Sequence, residues 1–177
     1  MFDSPSTYDW TQAELTYYYD AHIARVFNAW TSVAGLESFL VQRCVFMNER
    51  GEGKPDATPP VAGDRYQWYF QHDYQTEGLI TVLEDRQRLV FTLEGTIVTL
   101  LFRPVKQVTE LRLIHSLLPD APEDHVMWHL NWRSCWTFFL TNLAAVITTG
   151  RDLRLADNSL ALPVRVDFKP LSAQPGN

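Results

Sequence analysis

Few residues in this chain have a type and spacing that could do chemistry, and each belongs to an incomplete set. His115 shares one face of the segment "TELRLIHSL" with Leu111 and Leu113. A neutral imidazole there could bond a ligand carbonyl or hydroxyl, or act as a base near neutral pH. No nucleophile stands in a recognisable motif around it, so it reads first as a core histidine. His125 and His129 have the i, i+4 spacing that puts two ligands on one helix face. The zinc-protease pattern needs Glu directly after the first histidine, and Val126 stands there instead. Without that base or a third ligand, no metal site is expected. Both histidines are expected near a helix start and partly exposed, with Glu123 and Asp124 there as helix-dipole partners. Cys44 and Cys135 set no disulfide framework and read as reduced, buried thiols. Gly51 and Gly53 lie in the Gly/Pro-rich loop 49–63, which opens no helix and so cradles no phosphate. The expectation is no catalytic set and no cofactor.

The residues that stand out are aromatic. In "HVMWHLNWRSCWTFFLTNL" (125–143), three tryptophans fall four residues apart. At about 3.6 residues per turn, Trp128, Trp132 and Trp136 drift slowly around one helix face. Phe139, Leu140, Leu143 and Ile147 continue it. Protein interiors fill to near crystal density. So wide a stripe therefore needs an equally aromatic partner, or a space that holds something else. A thinner strip of Met127, Phe138 and Ala145 lies opposite Trp136, and reads either as a face covered by the tail or a partner subunit or as scattered surface apolars.

The elements that must position these residues follow from local pattern. "ELTYYYD" (14–20) is rich in β-formers and reads as a strand. "AHIARVFNAW" spaces Ile23, Val26, Phe27 and Trp30 as a helix, with Asp20 as its N-cap. "SVAGLESFL" is a second short helix, and "RCVFMN" a strand. Strand signals then recur over 64–71, 77–85, 88–94, 96–102 and 109–117, separated by breaks such as "DRQ" and "EG" that mark antiparallel hairpins. After Pro119 and Pro122 the Trp-rich helix runs to Gly150, a good stop residue. The tail "LPVRVDF" alternates Val164, Val166 and Phe168 with charges and could cover the outer strip. Runs of antiparallel strands with segregated helices make an α+β chain.

The length of 177 residues suits one domain, 1–177, with a core over about 12–155 and a C-terminal extension over 156–177. A net charge of −6 argues against a nucleic-acid partner, because phosphate binding needs clustered Lys and Arg. No apolar run reaches the roughly 18 residues of a membrane span. "MFDSPSTYDW" has neither the basic start nor the apolar run of a signal peptide. A cytoplasmic protein with no membrane partner is expected.

"DAHIARVFNAWTSVAGLESFL" resembles the opening of the activator of Hsp ATPase homologue family, within the START-like (SRPBCC) superfamily. Val26, Phe27, Ala29, Trp30, Thr31, Leu36 and Phe39 carry the likeness. "AGDRYQWYF" is similar to the family's Gly-led strand, and "EGLITVLEDRQRLVFTLE" to its following pair. "LRLIHSLLPD" is similar to its late strand end. Trp136, Leu140 and Leu143 match its last helix. The resemblance implies a helix-grip fold, a curved antiparallel sheet wrapped around a long C-terminal helix. It also implies a hydrophobic cavity between them for a small apolar molecule. This chain departs from the pattern at Ser116–Pro119, where a Gly is usual, in its extra Trp128 and Trp132, and in its longer C-terminus.

Strand 64–71 puts Tyr66, Trp68 and Phe70 on one face, where they should meet Trp132, Trp136 and Leu140 across the grip. Phe39, Phe46, Phe91 and Phe102 could close the ends. The expected ligand contacts are Trp68, Phe70, Phe91, Phe102, His115, Trp132 and Trp136. Two alternatives come with the resemblance. One is an interaction protein with a chaperone partner or a second copy of itself, and the other is a cyclase-like or hydrolase-like enzyme using the same cavity. The lone histidine leans against an enzyme.

Overall fold

Alternating strands dominate the computed structural model, which describes residues 8–70 and 74–155. Strand β1 spans Gln12–Tyr19, and two short helices follow, α1 (Ile23–Thr31) and α2 (Val33–Phe39). Strands β2 (Arg43–Met47), β3 (Arg65–Tyr69), β4 (Gln75–Glu84), β5 (Arg88–Leu93), β6 (Thr96–Val105) and β7 (Val108–Ser116) come next. A π-helical segment, His125–Asn131, then runs directly into the long helix α3, Trp132–Thr149. The seven strands form one curved antiparallel sheet in the order β1-β7-β6-β5-β4-β3-β2, with α3 across it. This is the helix-grip α+β architecture. The tail with Val164, Val166 and Phe168 lies outside the described residues.

Period-two burial builds the inner face. Val98, Leu100 and Phe102 of β6 and Leu111, Leu113 and His115 of β7 are buried, while the residues between them turn outward. Helix α3 answers with Trp136, Phe139, Leu140, Leu143 and Ile147, so the predicted stripe holds along this helix. On the outer face, Arg103 pairs with Glu110 at 2.8 Å and Arg112 with Glu14, staples across neighbouring strands.

Three polar anchors tie the helices to the sheet and to one another. The Tyr19 hydroxyl donates to the Leu140 carbonyl at 3.1 Å, joining β1 to α3. Thr109 Oγ1 donates to the Ala21 carbonyl at 2.7 Å and pins the entry to α1. Asn142, fully buried, donates to the carbonyl of Phe39 at 2.8 Å and accepts from the Leu153 amide at 2.7 Å. It therefore joins α2, α3 and the segment after α3, and satisfies an amide that would otherwise be costly to bury.

Two local expectations are corrected. The N-cap of α1 is His22, whose Nδ1 accepts from the Ala24 amide at 3.3 Å, and not Asp20. The chain bends once more after Asp20, which leaves the imidazole facing the open amides. His129 is buried at 1% exposure, because the rings of Tyr8 and Trp10 from the N-terminal segment cover it. Gly150 ends α3 as expected, in the left-handed conformation at φ 71°.

Gly78 is fixed by close approach. It faces Tyr66 across the β3–β4 ladder, and a Cβ there would stand 2.3 Å from the Thr92 carbonyl oxygen and 2.6 Å from the Tyr66 ring. The Tyr66 ring lies over it and donates its hydroxyl to that same carbonyl at 2.5 Å. Because the nearest obstacle is backbone, Gly78→Ala is expected to destabilise the fold by about 1–3 kcal/mol, as overpacking does. Urea unfolding of the two proteins, with the midpoint shifted and the slope kept, is the check.

Candidate functional site

Helix α3 is held to the sheet by a chain of buried hydrogen bonds. The Trp136 indole N–H donates to His115 Nδ1 at 3.1 Å. His115 Nε2 lies 2.6 Å from Thr96 Oγ1, and that hydroxyl is within bonding reach of the Leu93 carbonyl. A carbonyl can only accept, so Thr96 donates to it and accepts from the histidine. The imidazole is therefore neutral, with its proton on Nε2. Burial, and then the nearby His129, push the His115 pKa down to about 4. Both ring nitrogens are spent within the core, so His115 has no free position for a substrate proton.

Beside this packed zone the grip stays open. A cavity of about 460 Å³ lies between the first turns of the long helix and one end of the sheet. Phe70, Tyr74 and Glu94 line it from the sheet side, and Trp128, Trp132, Cys135 and Phe139 from the helix. Leu40 and Gln42, which follow α2, and Arg154, which follows α3, close its base. Met127 stands at its edge, 57% exposed, and Asn131 lies one turn farther in.

The π-helical segment opens this space. Its wider i→i+5 ladder adds a residue to each turn, so side chains before Trp132 do not continue the stripe of α3. Trp128, expected to stack in line with Trp132 and Trp136, instead turns its ring to the cavity wall. Trp132 itself sits at the boundary, with ring centres 6.0 Å from Trp136 and 5.5 Å from His115.

Of the seven residues expected to meet a ligand, Phe70 and Trp132 line the cavity. Trp68, Phe91, Phe102, His115 and Trp136 lie in the packed core, none more than 6% exposed. Phe91 packs edge-on to Trp68 at 5.3 Å, and Phe102 to Phe27 at 5.1 Å. The lining residues that the strand and helix periods do not single out, Leu40, Gln42, Tyr74, Glu94 and Arg154, all sit just beyond element ends or at the mouth of a hairpin.

The polar groups of the cavity are mostly engaged. The Arg154 guanidinium bonds the Asp152 carboxylate and donates to the carbonyls of Val41 and Glu37. The Tyr74 hydroxyl donates to Glu94 Oε1. Burial, then that bond and the charge behind it, raise the tyrosine pKa. Burial likewise raises the Cys135 pKa, so the thiol is protonated and a poor nucleophile at neutral pH. Among the described residues no three His, Cys, Asp or Glu side chains stand close enough to hold a metal ion. No described helix is long and apolar enough to cross a membrane.

Residues 20–147 match the family model described as Activator of Hsp90 ATPase homolog 1-like protein. Among solved structures, a crystal structure of a protein from Staphylococcus saprophyticus is 16% identical at a TM-score of 0.67, over 82% of this chain and 97% of that one. The Aha1 dimer from Colwellia psychrerythraea is 17% identical at a TM-score of 0.63, over 79% and 98%. An HSP90 activator from Plasmodium falciparum is 20% identical at 0.57, over 77% and 96%. At such identities the likeness speaks for the fold. A comparison with curated protein sequences gives no match.

The buried histidines make stability depend on pH. In the unfolded chain a histidine titrates near about 6.5, whereas the folded His115 titrates at about 4, and His129 is also lowered. Between these values the unfolded state binds more protons, so stability is full above pH ~6.5 and falls as pH drops toward ~4. The loss for His115 alone is on the order of 1.4 kcal/mol per pH unit within the window. His115→Gln is expected to be less stable at pH 7 and to show a shallower decline down to pH 4. Urea midpoints measured across that range test both parts.

Proposed function

Since the chain belongs to the Activator of Hsp90 ATPase homolog 1-like family, we propose that it uses the open end of its grip to bind a small hydrophobic or aromatic molecule. The observation that carries this reading is the cavity of about 460 Å³ walled by Phe70, Trp128, Trp132 and Phe139. Its size and mostly apolar lining are those of small-molecule sites. Affinity would come from apolar surface leaving water, at roughly 25 cal/mol per Å² before ordering costs are subtracted. Phe70 and Trp132 would touch the ligand. Trp68, Phe91, Phe102, His115 and Trp136 would act from behind, as the rigid wall that keeps the lining rings in place.

A second reading has its own observation. The family description and the Plasmodium falciparum structure point to Hsp90 activation, and Val126, Met127 and Leu130 form an exposed apolar group on the π-helical segment. Under it, a chaperone would dock on this outer surface without using the cavity. An enzymatic reading finds no support in His115, both of whose nitrogens are bonded within the core.

The two readings separate experimentally. Native mass spectrometry on gently purified protein is expected to show an adduct that vanishes on denaturation, and its mass narrows the ligand class. The neutral fluorescent probe N-phenyl-1-naphthylamine is expected to bind one per chain. Trp132→Ala is expected to weaken that binding roughly tenfold, about 1.4 kcal/mol of lost ring contact. Failure of the probe to bind the folded protein overturns the cavity reading. Capture of an Hsp90-type chaperone, unaffected by Trp132→Ala and lost in Leu130→Asp, a change outside the cavity lining, would favour the second.

A further inference from the structure

The cavity carries two charged side chains, and their situations differ. Arg154 is only 10% exposed along its side chain, and its charge is met by the Asp152 carboxylate at 2.7 Å. Two further donors go to the carbonyls of Val41 and Glu37. Little of that cation is left for an anionic ligand. Glu94 also lines the cavity and is exposed at the turn between β5 and β6. Its described partner is neutral, the Tyr74 hydroxyl on Oε1, and no cation pairs with it among the described residues. The Tyr74 bond fixes one of the carboxylate oxygens in place and leaves the other open. Among the described lining side chains, Glu94 is therefore the charge that no opposite charge meets.

The rings around it fit the same kind of ligand. Phe70 and Tyr74 lie with their centres 5.4 Å apart beside Glu94, and Trp128 and Trp132 face them from the helix. The faces of aromatic rings attract cations, tryptophan most strongly. A carboxylate at the mouth of an aromatic-walled cavity is the arrangement that takes an ammonium group attached to an apolar body.

We propose that this cavity selects organic cations, amines joined to an apolar or aromatic body, with Glu94 and the Phe70, Tyr74, Trp128 and Trp132 rings as the recognition set. The inference rests on the cavity-binding reading above and narrows its ligand class. The ammonium would bond the Glu94 carboxylate at the mouth, while the apolar body enters toward Phe139 and Leu40. Fatty carboxylates would be disfavoured, since their head would meet Glu94 and find Arg154 already neutralised.

Three probes with one skeleton test this, namely 4-phenylbutylamine, 4-phenylbutanol and 4-phenylbutyrate, titrated into the full chain by calorimetry at pH 7. The amine is expected to bind roughly tenfold more tightly than the alcohol, an advantage of the size that a cation gains over exposed rings and a carboxylate. The carboxylate is expected to bind most weakly. In Glu94→Gln the amine should fall to the level of the alcohol, and added salt should weaken the amine alone. Glu94 has φ 49°, a conformation that suits asparagine, so Glu94→Asn must keep the turn and should lose the same selectivity. Equal binding of all three probes overturns the charge selection while leaving the cavity reading intact. Tighter binding of the butyrate overturns it as well. If none binds while N-phenyl-1-naphthylamine does, the charge selection alone fails, and if that probe does not bind either, both inferences fail.

Discussion

The hydrogen bonds from Trp136 through His115 and Thr96 to Leu93 set the position of the long helix over the sheet. Apolar packing alone would let α3 rotate or slide by a fraction of a turn, because leucine and phenylalanine contacts are non-directional. An indole N–H buried at that depth has no such freedom, since leaving it unpaired costs the full desolvation penalty. The neutral imidazole passes the constraint from the helix to β7 and then to the β5–β6 turn. Two elements far apart in sequence are locked by groups that can be satisfied in one arrangement only.

Everything at the open end follows from that lock. Once Trp136 is fixed, the next side chains toward the N-terminus must either continue the seam or leave it. The π-helical segment makes them leave, and Trp128 swings to the side of the cavity. The same relay reaches Leu93, the last residue of β5, so Glu94 is placed by the hydrogen bonds that place the helix. The closed zone and the open zone are thus two ends of one arrangement. The rings behind the wall supply rigidity, and the rings in front of it are left with unfilled space.

Much of this was legible in the sequence, for a reason that can be stated. Seven strands, two short helices and a long one each carry a period of two or about 3.6, because each buries one face. The alternating leucines place His115 on the inner face, but the period cannot tell a ligand contact, which was expected of it, from the bonded core residue that it is. The location of the cavity did not show. The inward faces of strands and helix identify residues that meet, and residues that meet fill space. The cavity lies where the periods stop, at Leu40, Tyr74, Glu94 and Arg154. The helix was expected to keep one pitch from Pro122 onward, and no local residue pattern announces a change to i→i+5 bonding. The burial of His129 was hidden too, because its cover comes from Tyr8 and Trp10, more than a hundred positions away.

The charge pattern of the cavity has a structural logic apart from any ligand. Arg154 is needed where it is, since its donors close the carbonyls of Glu37 and Val41 around the end of α2, and α2 carries the base of the cavity. Asp152 answers that charge and also accepts from Asn142, so the cation is consumed in holding the last helix to the second. Glu94 meets no cation among the described residues, and its bond is to the neutral Tyr74 hydroxyl. A two-residue turn with positive φ at both positions is served best by Asn-Gly or Asp-Gly, and this chain has Glu94 at φ 49° before Gly95 at φ 82°. The turn would be as tight or tighter with a shorter side chain. The longer one carries its carboxylate to the cavity wall and to the Tyr74 hydroxyl, tying the β5–β6 turn to the residue before β4.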